Sequence, residues 1–259
     1  MRQKATEHCY VAAATPEDAP AADAVAHTWN LPRASASTPP GLRLWAAAHA
    51  LQLGDSRPGK PGSIRVDFLE EGFLRRLQQA GAAREPLARA VGARRGKRPR
   101  VVDATAGLGQ DAAVLAAAGC PVVLVERSPV IAALLADGIR RAADDPRTAA
   151  MTQRLALVHD DALDYLRRLA PDERPDVVCL DPMYPVRRGG ARSGRSMQHL
   201  QALLGHDPDP SALLQAARAA ATGRVVVKRQ RRAPALRGPA PDFTCGGSST
   251  RFDVYLCSG

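Results

Sequence analysis

Aromatic residues are sparse in this chain, at 4%, and neither its cysteines nor its histidines fall into a metal-binding pattern. The five cysteines (Cys9, Cys120, Cys179, Cys245 and Cys257) are odd in number and include no C-x-x-C pair. That excludes a disulfide framework or zinc knuckle as the organising device and points to a reducing compartment. His8, His27, His49, His159, His199 and His206 are scattered without H-E-x-x-H spacing, so no metal is expected. No apolar run approaches membrane-spanning length, and the N-terminus carries Glu7, Glu17 and Asp18 instead of the apolar core of a secretory signal. The expectation is a cytoplasmic protein with no membrane partner.

Acidic residues are also in deficit. The chain has 36 Lys and Arg against 26 Asp and Glu, a formal charge of +10, and the excess is almost all arginine. A polyanion, most commonly nucleic acid, is the partner such a balance favours, although an arginine-rich composition alone accounts for part of it.

A length of 259 residues suits one α/β domain with an appendage. Residues 1–60 read as a poorly defined N-terminal segment, with 11–41 rich in Ala and Pro and expected to be irregular. Residues 61–96 carry apolar positions at helical spacing (Phe68, Leu69, Phe73, Leu74, Leu77, Leu87, Val91) and read as a helical N-terminal region. The basic run Arg94-Arg95-Gly96-Lys97-Arg98-Pro99-Arg100 reads as a solvated connection to a catalytic domain over 97–259. There, short β-branched runs alternate with helical segments, the pattern of a mostly parallel doubly wound sheet. Strands are expected at 100–104, 122–126, 155–159, 177–181, 224–228 and 252–256. Ser128 and Pro129 are placed to cap and open the helix after the second of these.

In such sheets ligands lie beyond the carboxyl ends of the strands, and Asp103, Glu126, Asp161 and Asp181 all fall at or just past such ends. The loop Asp103-Ala104-Thr105-Ala106-Gly107-Leu108-Gly109-Gln110-Asp111 joins strand to helix through two glycines. Its spacing satisfies the loose dinucleotide fingerprint, but Asp111 puts an anion at the helix N-terminus where a pyrophosphate would bind. Asp103 and Asp111 instead suit S-adenosylmethionine, which carries an ammonium and a sulfonium and no phosphate. Glu126 stands at the separation expected for the acid that accepts the ribose hydroxyls, and Arg127 is placed to stack on adenine. Of Asp160 and Asp161, one caps the next helix and the other accepts from the adenine amine; Asp161 is favoured for adenine, with the Ala162 N–H on the ring.

Asp181-Pro182-Met183-Tyr184 is an Asp-Pro-x-aromatic box, similar to the [D/N/S]-P-P-[Y/F] box of methyltransferases acting on exocyclic amines. Such an amine is a weak nucleophile because its lone pair is delocalised into the ring. The Asp181 carboxylate and the Pro182 carbonyl, accepting its two N–H bonds, would favour the pyramidal amine and aim the lone pair at the methyl group. Tyr184 would stack on the unstacked base. Arg187, Arg188, Arg192 and Arg195, together with Lys228 and Arg229, are expected to contact phosphates at the same edge.

With these motifs in place the chain resembles the ribosomal RNA small subunit methyltransferase J family. The matching stretches are Val66-Asp67-Phe68, Asp103 to Gly109 with Asp111, Glu126-Arg127, Leu180-Asp181-Pro182-Met183 with Pro185, Arg224 to Arg229 and Arg251-Phe252-Asp253. The resemblance implies a class I S-adenosylmethionine-dependent methyltransferase fold. It also implies methyl transfer to N2 of a guanosine in 16S rRNA, free or in the small subunit, with S-adenosylhomocysteine as product. By resemblance Gln110, Asp111, Glu126, Arg127, Asp161, Ala162 and Asp181 form the cofactor site. Gln110 stands where the family commonly has Arg, and Asp161-Ala162 where a Ser pair occurs. Rival readings are an amino-directed methyltransferase for DNA adenine or protein glutamine, a non-catalytic RNA-binding module, and an NAD-dependent oxidoreductase. The last conflicts with Asp111.

Overall fold

A computed structural model describes residues 9–47, 49–57, 63–80, 85–182, 210–246 and 250–257. Its described residues divide into two compact units that are not contiguous in sequence: those up to Asp67 with Ser128–Arg141, and those from Phe68 to Arg127 with those from Ala142 onward.

In the first unit β1 (Tyr10–Ala13), β2 (Leu42–Ala47) and β3 (Ala50–Asp55) form a sheet in that order, β1 parallel and β3 antiparallel to β2. Residues 11–41, expected to be irregular, thus hold a strand and the ten-residue helix α1 (Ala19–Thr28). The local signal was present but small. Thr15 donates from both its backbone N and its hydroxyl to Asp18, at 3.0 and 2.8 Å, closing a capping box with Pro16 in the first turn. The strands are pinned by partners far along the chain. Asp137, in the helix α5 (Pro129–Ala143), accepts from the Leu51 N–H at 3.0 Å and pairs with Arg141 at 2.9 Å. Such a link stabilises without leaving any local trace in the sequence.

The second unit is a seven-stranded sheet in the order β6-β5-β4-β7-β8-β10-β9. Its strands are β4 (Val101–Asp103), β5 (Val122–Glu126), β6 (Leu155–His159), β7 (Val177–Leu180), β8 (Arg224–Gln230), β9 (Phe243–Gly246) and β10 (Thr250–Leu256). β4 to β8 are parallel, and β10 runs antiparallel to both β8 and β9. The six expected strands are all present, within two residues at each end. β9 was not expected, because Phe243-Thr244-Cys245-Gly246 is a short, mostly exposed edge with no apolar alternation.

β4 and β7 are buried along their whole length, as strands covered on both faces must be, which is why they read as unbroken apolar runs. On one face α7 (Ala162–Arg168) and α8 (Pro210–Ala220) supply Leu166, Leu213, Leu214 and Ala217 against Val102, Val178, Val225 and Tyr255. α4 (Gln110–Ala117) contacts β5 and β6, and α2 (Glu71–Gln79) and α3 (Pro86–Ala90) pack on α4. Each fully buried Leu or Tyr here contributes roughly 1.5–3 kcal/mol, so the sheet and its helices set the strand ends rigidly. α6 (Ala149–Thr152) completes the described helices. Among them no helix is long and apolar enough to cross a membrane.

Candidate active site

The carboxyl ends of β6, β5, β4 and β7 lie in that order along one edge of the sheet, and the loops leaving them are laced together by hydrogen bonds. Ala104 N–H donates to Cys179 O at 3.0 Å, and Ala106 N–H to Val125 O at 3.2 Å, so the β4 loop is held to both neighbours. Thr105 adds a second link: its N–H donates to Asp103 Oδ1 at 3.2 Å and its hydroxyl accepts from the Asp181 N–H at 2.6 Å. Farther along, Gly107 N–H donates to Glu126 Oε2 at 3.0 Å, and Asp160 N–H to the Glu126 carbonyl at 3.1 Å. Asp103, Glu126 and Asp181 are thereby brought to adjacent positions, as their strand-end placement anticipates. Thr105 was missed as a positioning group, although it sits inside the motif.

Gly107 (φ 52°) and Gly109 (φ 72°) both occupy the left-handed region, which an L side chain adopts only with strain. Gly109 caps α4, and a Cβ on Gly107 would meet nothing nearer than Thr105 O at 4.0 Å. The loop therefore presents an open, backbone-lined surface beside Glu126. Glu126 is buried, Arg127 half-buried and Gln110 exposed.

At the β6 end the two acids divide their work in an unexpected way. Asp161, favoured from the sequence for adenine, is itself the N-cap of α7 and accepts from Leu163 N–H at 3.0 Å. Asp160 accepts from the Asp161 N–H at 2.7 Å and is ion-paired with Arg168. The split of one cap and one ligand acid is corrected: the cap belongs to Asp161, so any adenine contact it makes comes from a carboxylate already oriented by the helix. Ala162 opens α7, half-buried.

The centre of charge is Lys228 on β8. Its Nζ lies 2.6 Å from Asp111 Oδ2 and 3.0 Å from Asp181 Oδ2, so one ammonium joins the α4 N-terminus to the Asp-Pro loop. Burial works to lower its pKa, but the carboxylates of Asp181 and Asp111 outweigh that and hold it raised. Arg76 on α2 reaches Asp111 from another side at 3.6 Å. Asp103 is buried behind this cluster. Burial, reinforced by the neighbouring charge of Asp111, lifts its carboxyl from 3.8 to about 7, against the pull of the Thr105 N–H; Asp181 lifts it further and Lys228 lowers it.

Two sequence expectations change here. Asp103 and Asp111 do not act as two bare anions: Asp103 is only partly ionised near neutrality and Asp111 is paired. Lys228 and Arg229 are not a phosphate-contacting pair either. Lys228 is held between two carboxylates, and Arg229 is 3% exposed, its guanidinium donating to the Pro234 carbonyl. Both side chains satisfy the protein's own acceptors, Arg229 buried and Lys228 half-buried.

Asp181 is exposed at the end of β7 and Pro182 is buried beside it. Tyr184 and the arginines 187, 188, 192 and 195 lie outside the described residues. Among the described residues no group of three or more His, Cys, Asp or Glu side chains is arranged to hold a metal ion.

The family model described as "Putative SAM-dependent methyltransferase" matches residues 24–257. A ribosomal RNA small subunit methyltransferase J of Alkalilimnicola ehrlichii is 51% identical, over 93% of this chain and 92% of the relative. The protein of that name from Thioalkalivibrio sulfidiphilus is 48% identical, over 91% and 92%. Among solved structures, a SAM-dependent methyltransferase from Neisseria gonorrhoeae superposes with a TM-score of 0.77 at 34% identity, covering 96% of each chain.

Proposed function

The chain belongs to the ribosomal RNA small subunit methyltransferase J family of S-adenosylmethionine-dependent methyltransferases, and from that premise we propose that it methylates N2 of a guanosine in 16S rRNA, in the cytoplasm, releasing S-adenosylhomocysteine. The observation that carries the reading is Asp181: a strand-end carboxylate, exposed and anchored through its own backbone to Thr105, with one oxygen held by Lys228.

When bound, S-adenosylmethionine supplies an electrophilic methyl group on a sulfonium. The residues proposed to hold it are Gln110 and Asp111 at the α4 start, Glu126 and Arg127 at the β5 end, Asp161 and Ala162 at the α7 start, and Asp181. Glu126 takes the ribose hydroxyls, its side chain already oriented by the Gly107 N–H. Asp161 and the Ala162 N–H take the adenine. Asp181 and the Pro182 carbonyl each accept one N–H of the guanine amine, which concentrates the lone pair on nitrogen and points it across the pocket. Lys228 contributes by holding one Asp181 oxygen in place. Tyr184 stacks on the base. The proton is lost to solvent after transfer, and no dedicated general base is needed.

The test uses purified protein, radiolabelled S-adenosylmethionine and 30S subunits or 16S rRNA lacking the native modification, with nucleosides identified after digestion. Label in N2-methylguanosine, lost in Asp181→Ala, is the expected result. Cofactor binding without label in either RNA would overturn the ribosomal assignment, and label appearing in DNA or protein would redirect it.

A further inference from the structure

With Lys228 and Arg229 committed to acceptors inside the protein, the basic segment 94–98 remains as a concentration of cations that the site does not use. Arg94 and Lys97 form an antiparallel bridge, with Arg94 N–H donating to Lys97 O at 3.1 Å and Lys97 N–H to Arg94 O at 2.9 Å. Gly96 closes the turn at φ 78°, the position that requires glycine in a type II turn. Arg98 braces it from behind: its guanidinium donates to Lys97 O at 3.2 Å and to Arg94 O. The stem of Arg98 lies close over Gly119, where a Cβ would come within 2.7 Å of its Nε. The segment is thus a hydrogen-bonded hairpin tied to the sheet domain, which presents Arg94, Arg95 and Lys97 outward. All three side chains are exposed.

Several arginines elsewhere among the described residues are paired with acids. Arg33, Arg57, Arg76, Arg147, Arg168 and Arg251 each lie within 4.0 Å of a carboxylate. Among the described residues no carboxylate lies that close to Arg94, Arg95, Lys97 or Arg98. An unneutralised cluster on a preformed turn loses little conformational freedom when it meets an anion, which separates it from a floppy basic tail.

The hairpin also has a defined position. It leads directly into Val101, which pairs with Val122 and Val177 at the amino ends of β5 and β7, whereas Asp103 and Asp181 stand at the carboxyl ends. The cations are therefore on the edge of the sheet opposite the proposed chemistry.

We propose that the Arg94–Lys97 hairpin is a second rRNA-binding site, which grips the phosphate backbone of a folded RNA at a point remote from the target guanosine. This rests on the rRNA reading of the site. Contacts of this kind supply affinity without sequence information, and they do so by releasing counterions. They set how tightly a folded substrate is held and leave the methyl-transfer step alone.

The test compares wild type with Arg94→Gln/Arg95→Gln/Lys97→Gln and with the charge-retaining Arg94→Lys/Arg95→Lys/Lys97→Arg. It measures the affinity for protein-free 16S rRNA across a salt series, S-adenosylhomocysteine affinity, and turnover at saturating RNA. The neutral variant is expected to bind RNA about tenfold or more weakly at moderate salt and to lose about 2 from the slope of log K against log salt. Turnover and cofactor affinity stay at wild-type values, and the charge-retaining variant behaves as wild type. An unchanged salt slope in the neutral variant overturns the proposal. Equal loss in both variants also overturns it, because geometry and not charge would then be at stake. So does an effect seen with 30S subunits but absent with bare rRNA, which would place an acidic ribosomal protein on the hairpin. Wild-type protein that binds 16S rRNA but methylates neither it nor 30S subunits refutes the reaction assignment, while the salt slopes still decide the hairpin.

Discussion

Lys228-Arg229 and Arg94-Arg95-Gly96-Lys97-Arg98 look alike in sequence, both dense in cations, the first inside a strand of the central sheet and the second leading into one, yet they meet opposite fates. Lys228 is clamped by Asp111 and Asp181 and Arg229 is buried on a carbonyl, while the hairpin cations are exposed and have no carboxylate within reach among the described residues. The difference teaches that local charge density does not identify a nucleic-acid contact. What decides is whether the fold delivers acceptors to those side chains, and β8 carries its cations into the acid-rich edge whereas the hairpin leaves the opposite edge for solvent.

The sharpest way to break the contrast is Lys228→Met. It removes the ammonium that joins Asp111 to Asp181 beside Asp103. Turnover is expected to fall about a hundredfold, the scale of losing one preorganised electrostatic contact, with part of the loss restored by Lys228→Arg. Equal turnover in Lys228→Met and wild type would show that Asp181 needs no such support.

Asp103 gives the next effect, through pH. Its folded-state pKa of about 7 lies above the ordinary 3.8, so the folded protein holds that proton more tightly than the unfolded chain. The stability this confers is complete below pH 4 and is lost as pH rises through 7, on the order of a few kcal/mol across that window. Urea unfolding at pH 5 and pH 8 should show a smaller difference in Asp103→Asn than in wild type. A difference as large in the variant would place the titration elsewhere.

Arg229→Gln isolates the buried member of the pair. Losing the buried guanidinium and its bonds to the Pro234 carbonyl should cost about 2 kcal/mol of stability, while the salt slope for RNA binding remains at the wild-type value. A reduced slope would mean Arg229 reaches RNA after all. Arg95→Gln is the mirror image and the smallest effect: stability within about 0.5 kcal/mol of wild type and a salt slope lower by roughly 0.7–0.9. Calorimetry and a filter-binding titration on the same two proteins would separate the cases.

How far the site could be read from the sequence follows the same division. The four acids were legible because each closes a short β-branched run, a pattern written within five or six residues. The glycine loop was legible because Gly107 and Gly109 perform a backbone task no other residue does cheaply. The cap at Asp161 was half legible: the sequence placed two adjacent acids at the start of a helix, and only their geometry showed which one caps it. The N-terminal sheet was not legible. β1 finds its partner some thirty residues downstream, and Asp137, which anchors β3, lies beyond β5.

What the sequence determined by itself was therefore what short-range pattern encodes: the positions of the apolar runs, the acids at or just past their ends, the helix starts, and the place of the Asp-Pro box. Tertiary structure alone decided the fate of the charges. Lys228 is 117 residues from Asp111, and nothing local to either predicts that they meet. Coulombic energy depends on distance in space and on burial, and both are set only when the sheet assembles.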